Sequence, residues 1–530
     1  MLSIIPSTTP ALTDITDYRQ ALDTFSWDRL WALFDGTPEH FNLATECLDR
    51  HAARGTAIAV KFSDGHVEQY GFAELALLTA KFANWLVARG AAPGDRVAVM
   101  LEPGRAFYTA LFGAVKRGAI AVPLFTLFGP DGIALRVADC TPRLLLVEPG
   151  RAASLRGAVG ATELVEVDAA FWAEVDACVD SFTPTTKASD LAVFQYTSGT
   201  TRELPEAVKH SHRAIVTLMI AALYGVGLRP GDRYFCPSSP AWGHGLWHGT
   251  IAPLALGVQI GSYSGKFEVE RIFEALQELQ ITNFAAAATV YRMMRNAGLR
   301  DRYRLALQKV SYTGEPMDSE TYRWVESAFN VTPASMYGTT EVGVLIVNYP
   351  GYSGYRIKPG TLGKPAPGWE VAVVDRDGRE LPPDEQGEIA VRRKGEWFFV
   401  KDRGVRDAEG YFIHHGRSDD VIISAGWTMS AVEIEDALMK HPAVLEAAAI
   451  GVPDQLRGHV VKALLVTRDR TSETEQSVKR FMKETLGQHE YPRIIEFVDA
   501  LPKTPAGKVN RKVLRDREAA QSSNHKKDPQ

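Results

Sequence analysis

Residues 95 to 101 read Asp95-Arg96-Val97-Ala98-Val99-Met100-Leu101, an apolar run behind two charges. A run this short, bounded by polar residues, is expected as a buried strand. Residues 105 to 117 follow with apolar positions at helical spacing, and Ala119-Ile120-Ala121-Val122-Pro123-Leu124 makes a second strand. Strand, helix and strand in this order predict a βαβ unit, and with it a parallel sheet covered by helices. The alternation returns in a helix over 268–279 followed by Ile281-Thr282-Asn283-Phe284-Ala285. A longer apolar helix is predicted over 211–224.

From about Thr361 the texture changes. Val371-Ala372-Val373-Val374-Asp375 and Gly387-Glu388-Ile389-Ala390-Val391 are short strands between Pro and Gly turns, which predicts a small β subdomain. After Asp419 come helices over 431–440 and 475–486 and strands over 443–451 and 460–467. The expected fold is therefore α/β: a large amino-terminal domain of parallel-sheet α/β layers plus a β subdomain, then a small α+β carboxy-terminal domain. A chain of 530 residues also exceeds what one core supports.

Composition narrows the function. The chain is 45% hydrophobic and 23% charged, with a net charge of −5, so no basic field invites nucleic acid. The four cysteines, Cys47, Cys140, Cys178 and Cys236, are scattered without a CxxC pair, which points to reduced thiols and to neither zinc nor disulfides. Met1-Leu2-Ser3-Ile4-Ile5-Pro6 lacks the basic and apolar regions of a secretory signal. No uncharged apolar stretch of ~18 residues is present to span a bilayer. A cytoplasmic location is expected.

Beyond the apolar run Leu191-Ala192-Val193-Phe194, the chain reads Tyr196-Thr197-Ser198-Gly199-Thr200-Thr201. A strand that ends in hydroxyls and a glycine can hold phosphate. Gly199 permits close backbone approach, while Ser198, Thr200, Thr201 and the loop N–H groups donate. By itself such a cluster also describes a plain turn. Its downstream company is more specific: Tyr312-Thr313-Gly314-Glu315-Pro316, Tyr337-Gly338-Thr339-Thr340-Glu341, Gly416-Arg417-Ser418-Asp419-Asp420 and Leu501-Pro502-Lys503-Thr504-Pro505-Ala506-Gly507-Lys508. In this order and spacing the set resembles the adenylate-forming superfamily of acyl-CoA synthetases, adenylation domains and luciferases, over roughly residues 40 to 515. The type resembled most is the medium-chain or aryl acyl-CoA synthetase.

The resemblance implies an acid–CoA ligase using ATP, Mg²⁺ and coenzyme A. AMP is transferred to a carboxylate, and a thiol then displaces it. Thr197, Ser198, Gly199, Thr200 and Thr201 would cradle phosphates. Thr340 would contact the α-phosphate and Glu341 would ligate magnesium, a hard oxygen for a hard cation. Tyr337 and the Gly314-Glu315-Pro316 turn would sandwich adenine, and the adjoining Gly338 would also belong to the binding site. Asp402 and Arg417 would hold the ribose hydroxyls. Lys508 would reach the carboxylate and α-phosphate and stabilise charge in the adenylation transition state. The resemblance also implies domains at 1–418 and 419–530, hinged at Asp419. One pose would present Lys508, and the other the loop around Gly426 with a tunnel for the thiol.

Ser239-Pro240-Ala241-Trp242-Gly243-His244-Gly245-Leu246-Trp247-His248-Gly249 resembles an acyl-pocket segment, and its glycines suggest close backbone approach. Acetyl-CoA synthetases carry tryptophan where this chain has Gly338, so glycine is expected to leave room for a medium-chain, alicyclic or aromatic acid.

Three stretches depart from the family pattern. Arg202-Glu203-Leu204-Pro205-Glu206-Ala207 replaces Gly-x-Pro-Lys-Gly and is one residue longer, with Glu206 where lysine is usual. Val400-Lys401-Asp402 replaces Thr-Gly-Asp, and Thr428 stands where many relatives carry arginine. Full two-step ligation is the first reading. Two others stay open: a weakly adenylating enzyme that thioesterifies a preformed acyl-adenylate from a partner enzyme, and an adenylation enzyme loading a carrier protein. A homodimer also stays open.

Overall fold

The computed structural model describes residues 10–196, 207–339, 342–417, 421–424, 427–454, 458–485, 491–503 and 509–525. The chain divides into two compact units. The first comprises Met1–Ala286, Asn296–Ser311 and Tyr349–Arg356; the second comprises Ala287–Arg295, Tyr312–Asn348 and Ile357–Gln530.

In the first unit the predicted βαβ element is present. Strands Arg96–Met100 and Ile120–Pro123 flank the helix Arg105–Arg117 and pair in parallel, Val97 beside Ala121. Gly118 ends the helix at φ +83, the left-handed cap that glycine adopts without a Cβ penalty. The strands belong to a six-stranded sheet ordered Glu163–Glu166, Leu144–Val147, Arg96–Met100, Ile120–Pro123, Leu191–Tyr196, Ala207–Ser211. All neighbours are parallel except the last pair, which is antiparallel. Both Tyr196 and Ala207 lie in the buried cluster that includes Ala98, Val122, Leu145 and Phe194. The phosphate-loop segment thus leaves the carboxyl end of a buried strand, where open α/β sheets place ligands.

A second sheet in this unit pairs Thr56–Phe62 with Gln259–Ser264 in parallel and with Val67–Gly71 in antiparallel fashion. Arg233–Phe235 lies between Gln259–Ser264 and the strand beginning at Asn283, parallel to both. The helix expected over 211–224 is shorter and differently built. Residues 207–211 are strand, the α-helix runs Ala214–Ile220, and Ala221–Gly225 widens to a π-turn. Pairing with Leu191–Tyr196 holds His210 and Ser211 in the sheet, which overrides the local apolar periodicity.

In the second unit the expected β subdomain is a four-stranded antiparallel sheet ordered Val371–Val374, Gly387–Arg393, Glu396–Arg406, Phe412–Arg417. Alternation buries Val371, Val373, Ile389, Val391 and Phe412 in one cluster. The carboxy-terminal segment is α+β. Val444–Asp454 and Gly458–Thr467 pair antiparallel, Ile494–Phe497 adds in parallel, and helices Ala431–Met439 and Ser472–Thr485 pack on them through Ile434, Leu438, Val478 and Met482. Large amino-terminal parallel-sheet layers and a smaller α+β end give the α/β architecture expected from the sequence. No helix among the described residues is long and apolar enough to cross a membrane. All four cysteines are free.

Candidate active site

The phosphate-loop residues Thr197, Ser198, Gly199, Thr200 and Thr201, with Arg202 and Glu206, lie outside the described residues. Their two stems do not. Tyr196 and Ala207 face each other across the antiparallel pair. The Tyr196 hydroxyl donates to Asp139 Oδ2 at 2.7 Å and to the Arg136 carbonyl at 3.0 Å. The Ala207 N–H donates to the same Asp139 oxygen at 3.1 Å. Burial and the neighbouring Asp139 and Cys140 push the Tyr196 phenol far above its ordinary pKa, so it stays a neutral donor. One carboxylate therefore pins both ends of the loop. Asp139 stands 57 residues from Tyr196, and no motif marks it in the sequence.

The nucleotide motifs of the second unit converge. The Thr313 hydroxyl donates to the Met336 carbonyl at 2.7 Å, which ties the Gly314 turn to the strand carrying Tyr337. Gly314 takes φ +92, a backbone state that requires glycine there. The Glu315 carboxylate accepts the Thr289 N–H at 2.7 Å and the Thr289 hydroxyl, in the first turn of helix Ala288–Ala297. It is a helix cap, favoured by the helix dipole, so Glu315 serves the turn's architecture. The Tyr337 hydroxyl donates to Asp402 Oδ2 at 2.6 Å. Asp402 is buried, and it pairs in register with Arg417 on the adjacent strand. His414 Nε2 approaches Asp402 Oδ1 at 3.7 Å. Sequence reasoning missed His414, which only strand alternation singles out.

Asp402 sits at a bulge, with Lys401 at φ +64. A bulge re-aims a side chain, here the buried carboxylate. The family pattern has glycine at position 401, and the lysine adopts the left-handed backbone that glycine would take. The departure from Thr-Gly-Asp is therefore carried as local strain, with the aspartate still in place.

Gly338 requires a correction. A Cβ there would lie 2.1 Å from the Gly343 carbonyl oxygen and 2.7 Å from Val344 Cα. Gly338 pairs with Val344 just past a register slip at Tyr337. The glycine is demanded by a close backbone approach within the hairpin, so the room it was expected to leave for a larger acid is already filled. Next to it, the Thr339 hydroxyl is buried without a hydrogen-bond partner among the described residues. An orphaned donor in this motif fits a phosphate oxygen or a metal-bound water. Thr340 and Glu341 themselves lie outside the described residues, as do Asp419, Gly426 and Lys508. Thr428 lies on a strand paired with Val421–Ser424.

In the first unit, the Trp242 ring lies 5.4 Å from Phe125, which in turn lies 5.9 Å from Phe128. His244–Ile251 forms a π-helix, a rare geometry frequent at functional sites. The glycines of this segment are packing positions. A Cβ on Gly245 would meet the Ser238 and Ser239 carbonyls at 2.3 and 2.2 Å, and one on Gly249 would meet Cys236 Cβ at 3.1 Å. The Trp247 Nε1–H donates to Gln195 Oε1 at 2.7 Å, and the His210 ring lies 4.6 Å from Trp247.

Residues 48–396 match the AMP-binding enzyme family, and residues 433–508 match the AMP-binding enzyme C-terminal domain. An acetyl-coenzyme A synthetase of Bacillus subtilis (strain 168) is 31% identical over 95% of this chain and 95% of that protein. The crystal structure of an acyl-CoA synthetase of Brucella canis aligns with a TM-score of 0.74 at 30% identity, over 96% of this chain and 100% of that one. That of the anthranilate CoA ligase AuaEII in complex with anthranoyl-AMP aligns with a TM-score of 0.83 at 26% identity, over 92% and 99% of the two chains.

Proposed function

The chain belongs to the AMP-binding enzyme family and is an acid–CoA ligase of the AMP-forming type, and on that premise we propose that its acid is medium-chain, alicyclic or aromatic. ATP, Mg²⁺ and coenzyme A are its co-reactants. The observation that carries the residue assignment is the Tyr337–Asp402 hydrogen bond between strands of two different sheets, with Asp402 paired in register with Arg417 on the adjacent strand. The aromatic wall of Phe125, Phe128 and Trp242 supports the substrate class. So does the anthranoyl-AMP bound by AuaEII.

In the proposed mechanism a carboxylate oxygen attacks the α-phosphorus and pyrophosphate leaves. A thiolate then attacks the acyl carbon and AMP leaves with one carboxylate oxygen. Asp402 accepts the ribose hydroxyls with Arg417 beside it. Tyr337 and the Gly314-Glu315-Pro316 backbone flank adenine, and Thr197–Thr201 receive the β- and γ-phosphates. Thr340 and Lys508 act on the α-phosphate, and Lys508 also on the carboxylate. Glu341 would hold the magnesium ion, whose charge would neutralise the phosphates when it is bound. Trp242 lines the acyl site. Domains 1–418 and 419–530 exchange Lys508 for the loop around Gly426 between the half-reactions, turning at Asp419. The test is a carboxylic-acid panel with ATP, Mg²⁺ and coenzyme A, analysed by mass spectrometry for acyl-AMP and acyl-CoA. Formation of both from an acid of this class supports the reading; formation from acetate alone removes the substrate class.

A second reading is favoured by Glu206, an acid where the family's loop carries lysine. Repulsion of the β- and γ-phosphates there would slow adenylation yet spare acyl-AMP, which lacks both. The enzyme would then chiefly thioesterify acyl-AMP supplied by a partner. Comparing both half-reactions on one acid decides: equal rates remove this reading.

A further inference from the structure

In the first unit the π-helix His244–Ile251 carries three polar rings, of which Trp247 meets the phosphate-loop stems. The strands Leu191–Tyr196 and Ala207–Ser211 frame that loop, and each sends one residue to Trp247. Gln195 accepts the Trp247 Nε1–H at 2.7 Å, and the His210 ring lies 4.6 Å from the indole. One residue on, His248 lies 5.9 Å ring to ring from His244 along the same π-helix. The Ser238 hydroxyl, 3.2 Å from His244 Nδ1, continues the polar line.

His248 Nδ1 is buried and has no hydrogen-bond partner among the described residues. An unpaired buried polar atom is costly, and native structures hold few of them without a water, an ion or a ligand to explain them. A pocket for a plain hydrocarbon acid would gain from leucine or phenylalanine at this position. A metal does not explain the cluster, since no group of His, Cys, Asp and Glu suited to an ion occurs among the described residues. Burial pushes both His210 and His248 down to about 4, so both rings are neutral at neutral pH. They offer hydrogen bonds and no positive charge, which suits an uncharged polar group and gives a second carboxylate no counter-ion.

We infer that His248, which follows Trp247 on the π-helix and faces His244, recognises an uncharged hydrogen-bonding substituent, a hydroxyl, aromatic amine or ketone, on the acyl part of the substrate acid. The inference rests on the ligase reading above and narrows its substrate class. The carboxylate goes to the phosphate-loop side and the substituent to His248. An acid without the substituent leaves the imidazole unpaired, and the unmade buried hydrogen bond sets the preference.

The test uses the full chain and matched acids: benzoate with its three hydroxy and three amino isomers, cyclohexanecarboxylate with its hydroxy derivatives, and octanoate with hydroxyoctanoates. Rates are read as pyrophosphate release, with acyl-AMP and acyl-CoA identified by mass spectrometry. In at least one pair, kcat/KM should favour the substituted acid on the order of 10–10²-fold, the loss expected for an unpaired buried partner. His248→Phe should bring that ratio close to unity by improving the plain acid, while His248→Gln, which still donates and accepts, should retain a preference. Plain acids equal or superior in every pair, with acyl-CoA formed, overturn the inference and leave the ligase reading standing. No acyl-AMP or acyl-CoA from any acid overturns the ligase reading and the inference with it. An unchanged ratio in a folded His248→Phe overturns the role of His248. Should that variant not fold, the wild-type ratios and His248→Gln decide by the same criteria.

Discussion

The Tyr196 hydroxyl lies 2.7 Å from Asp139 Oδ2, the oxygen that also takes the Ala207 N–H. Two strand ends are thereby fixed by one carboxylate, and the ten residues between them, 197–206, include the five assigned to the phosphates, Thr197–Thr201. Asp139→Ala should raise the KM for ATP and slow acyl-AMP formation by about 10–10²-fold, the scale of losing hydrogen bonds to a charged group. Thioester formation from supplied acyl-AMP should stay near wild type, and Asp139→Asn, whose amide oxygen still accepts, should recover part of the loss. Stopped-flow measurement of each half-reaction is the check. Equal loss in both would make Asp139 a general structural residue.

Lys401 holds φ +64 beside the buried Asp402. Left-handed backbone costs a side-chain-bearing residue ~1–2 kcal/mol. Glycine gives back ~0.5–1 kcal/mol of that as chain entropy. Lys401→Gly should therefore stabilise the second unit by about 0.5–1 kcal/mol, with Lys401→Ala giving no such gain. Denaturant midpoints of the two variants and the parent settle it. A glycine variant no more stable than the alanine one contradicts the strain.

Gly338→Ala places a methyl 2.1 Å from the Gly343 carbonyl oxygen. The hairpin must shift, at a cost of roughly 1–3 kcal/mol by comparison with overpacked cores. Acyl-AMP formation should fall together with thermal stability. Gly338→Trp should do the same more severely, without moving preference toward short acids. A stable Gly338→Trp enzyme that now prefers acetate would restore the pocket-depth reading.

Lys508→Ala should cut acyl-AMP formation by ~10²–10³-fold, the usual loss when charge stabilisation is removed from a transition state. Conversion of supplied acyl-AMP to acyl-CoA should persist. Quenched-flow assay of both steps tests this, and parallel loss in the two removes the lysine from the adenylation step.

What the sequence made legible follows from local physics. The run at 95–101, the helical spacing at 105–117 and the strand at 119–124 each encode their element within a few residues, and the six-stranded sheet follows from them. Motif spacing likewise singled out Tyr337, Asp402 and Arg417, and the fold links them through the Tyr337–Asp402 hydrogen bond and the Asp402–Arg417 strand pairing. Contacts made only by folding stayed hidden. Asp139 has no motif, and Glu315 caps a helix that begins 27 residues before it, at Ala288. Gly338 looked like open space because a sequence does not display the strand that crosses it. The helix expected from residue 211 began later because sheet pairing outweighed apolar periodicity at His210 and Ser211.

The central claim is that a carboxylate oxygen of the acid becomes bonded to the α-phosphorus of ATP. Isotope transfer measures this directly. The best acid of the panel, labelled with ¹⁸O in both carboxyl oxygens, is turned over with ATP, Mg²⁺ and coenzyme A, and the products are weighed by mass spectrometry. The account predicts AMP carrying one ¹⁸O, acyl-CoA retaining the other, and unlabelled pyrophosphate. Unlabelled AMP, or ADP together with ¹⁸O-labelled orthophosphate, would contradict it.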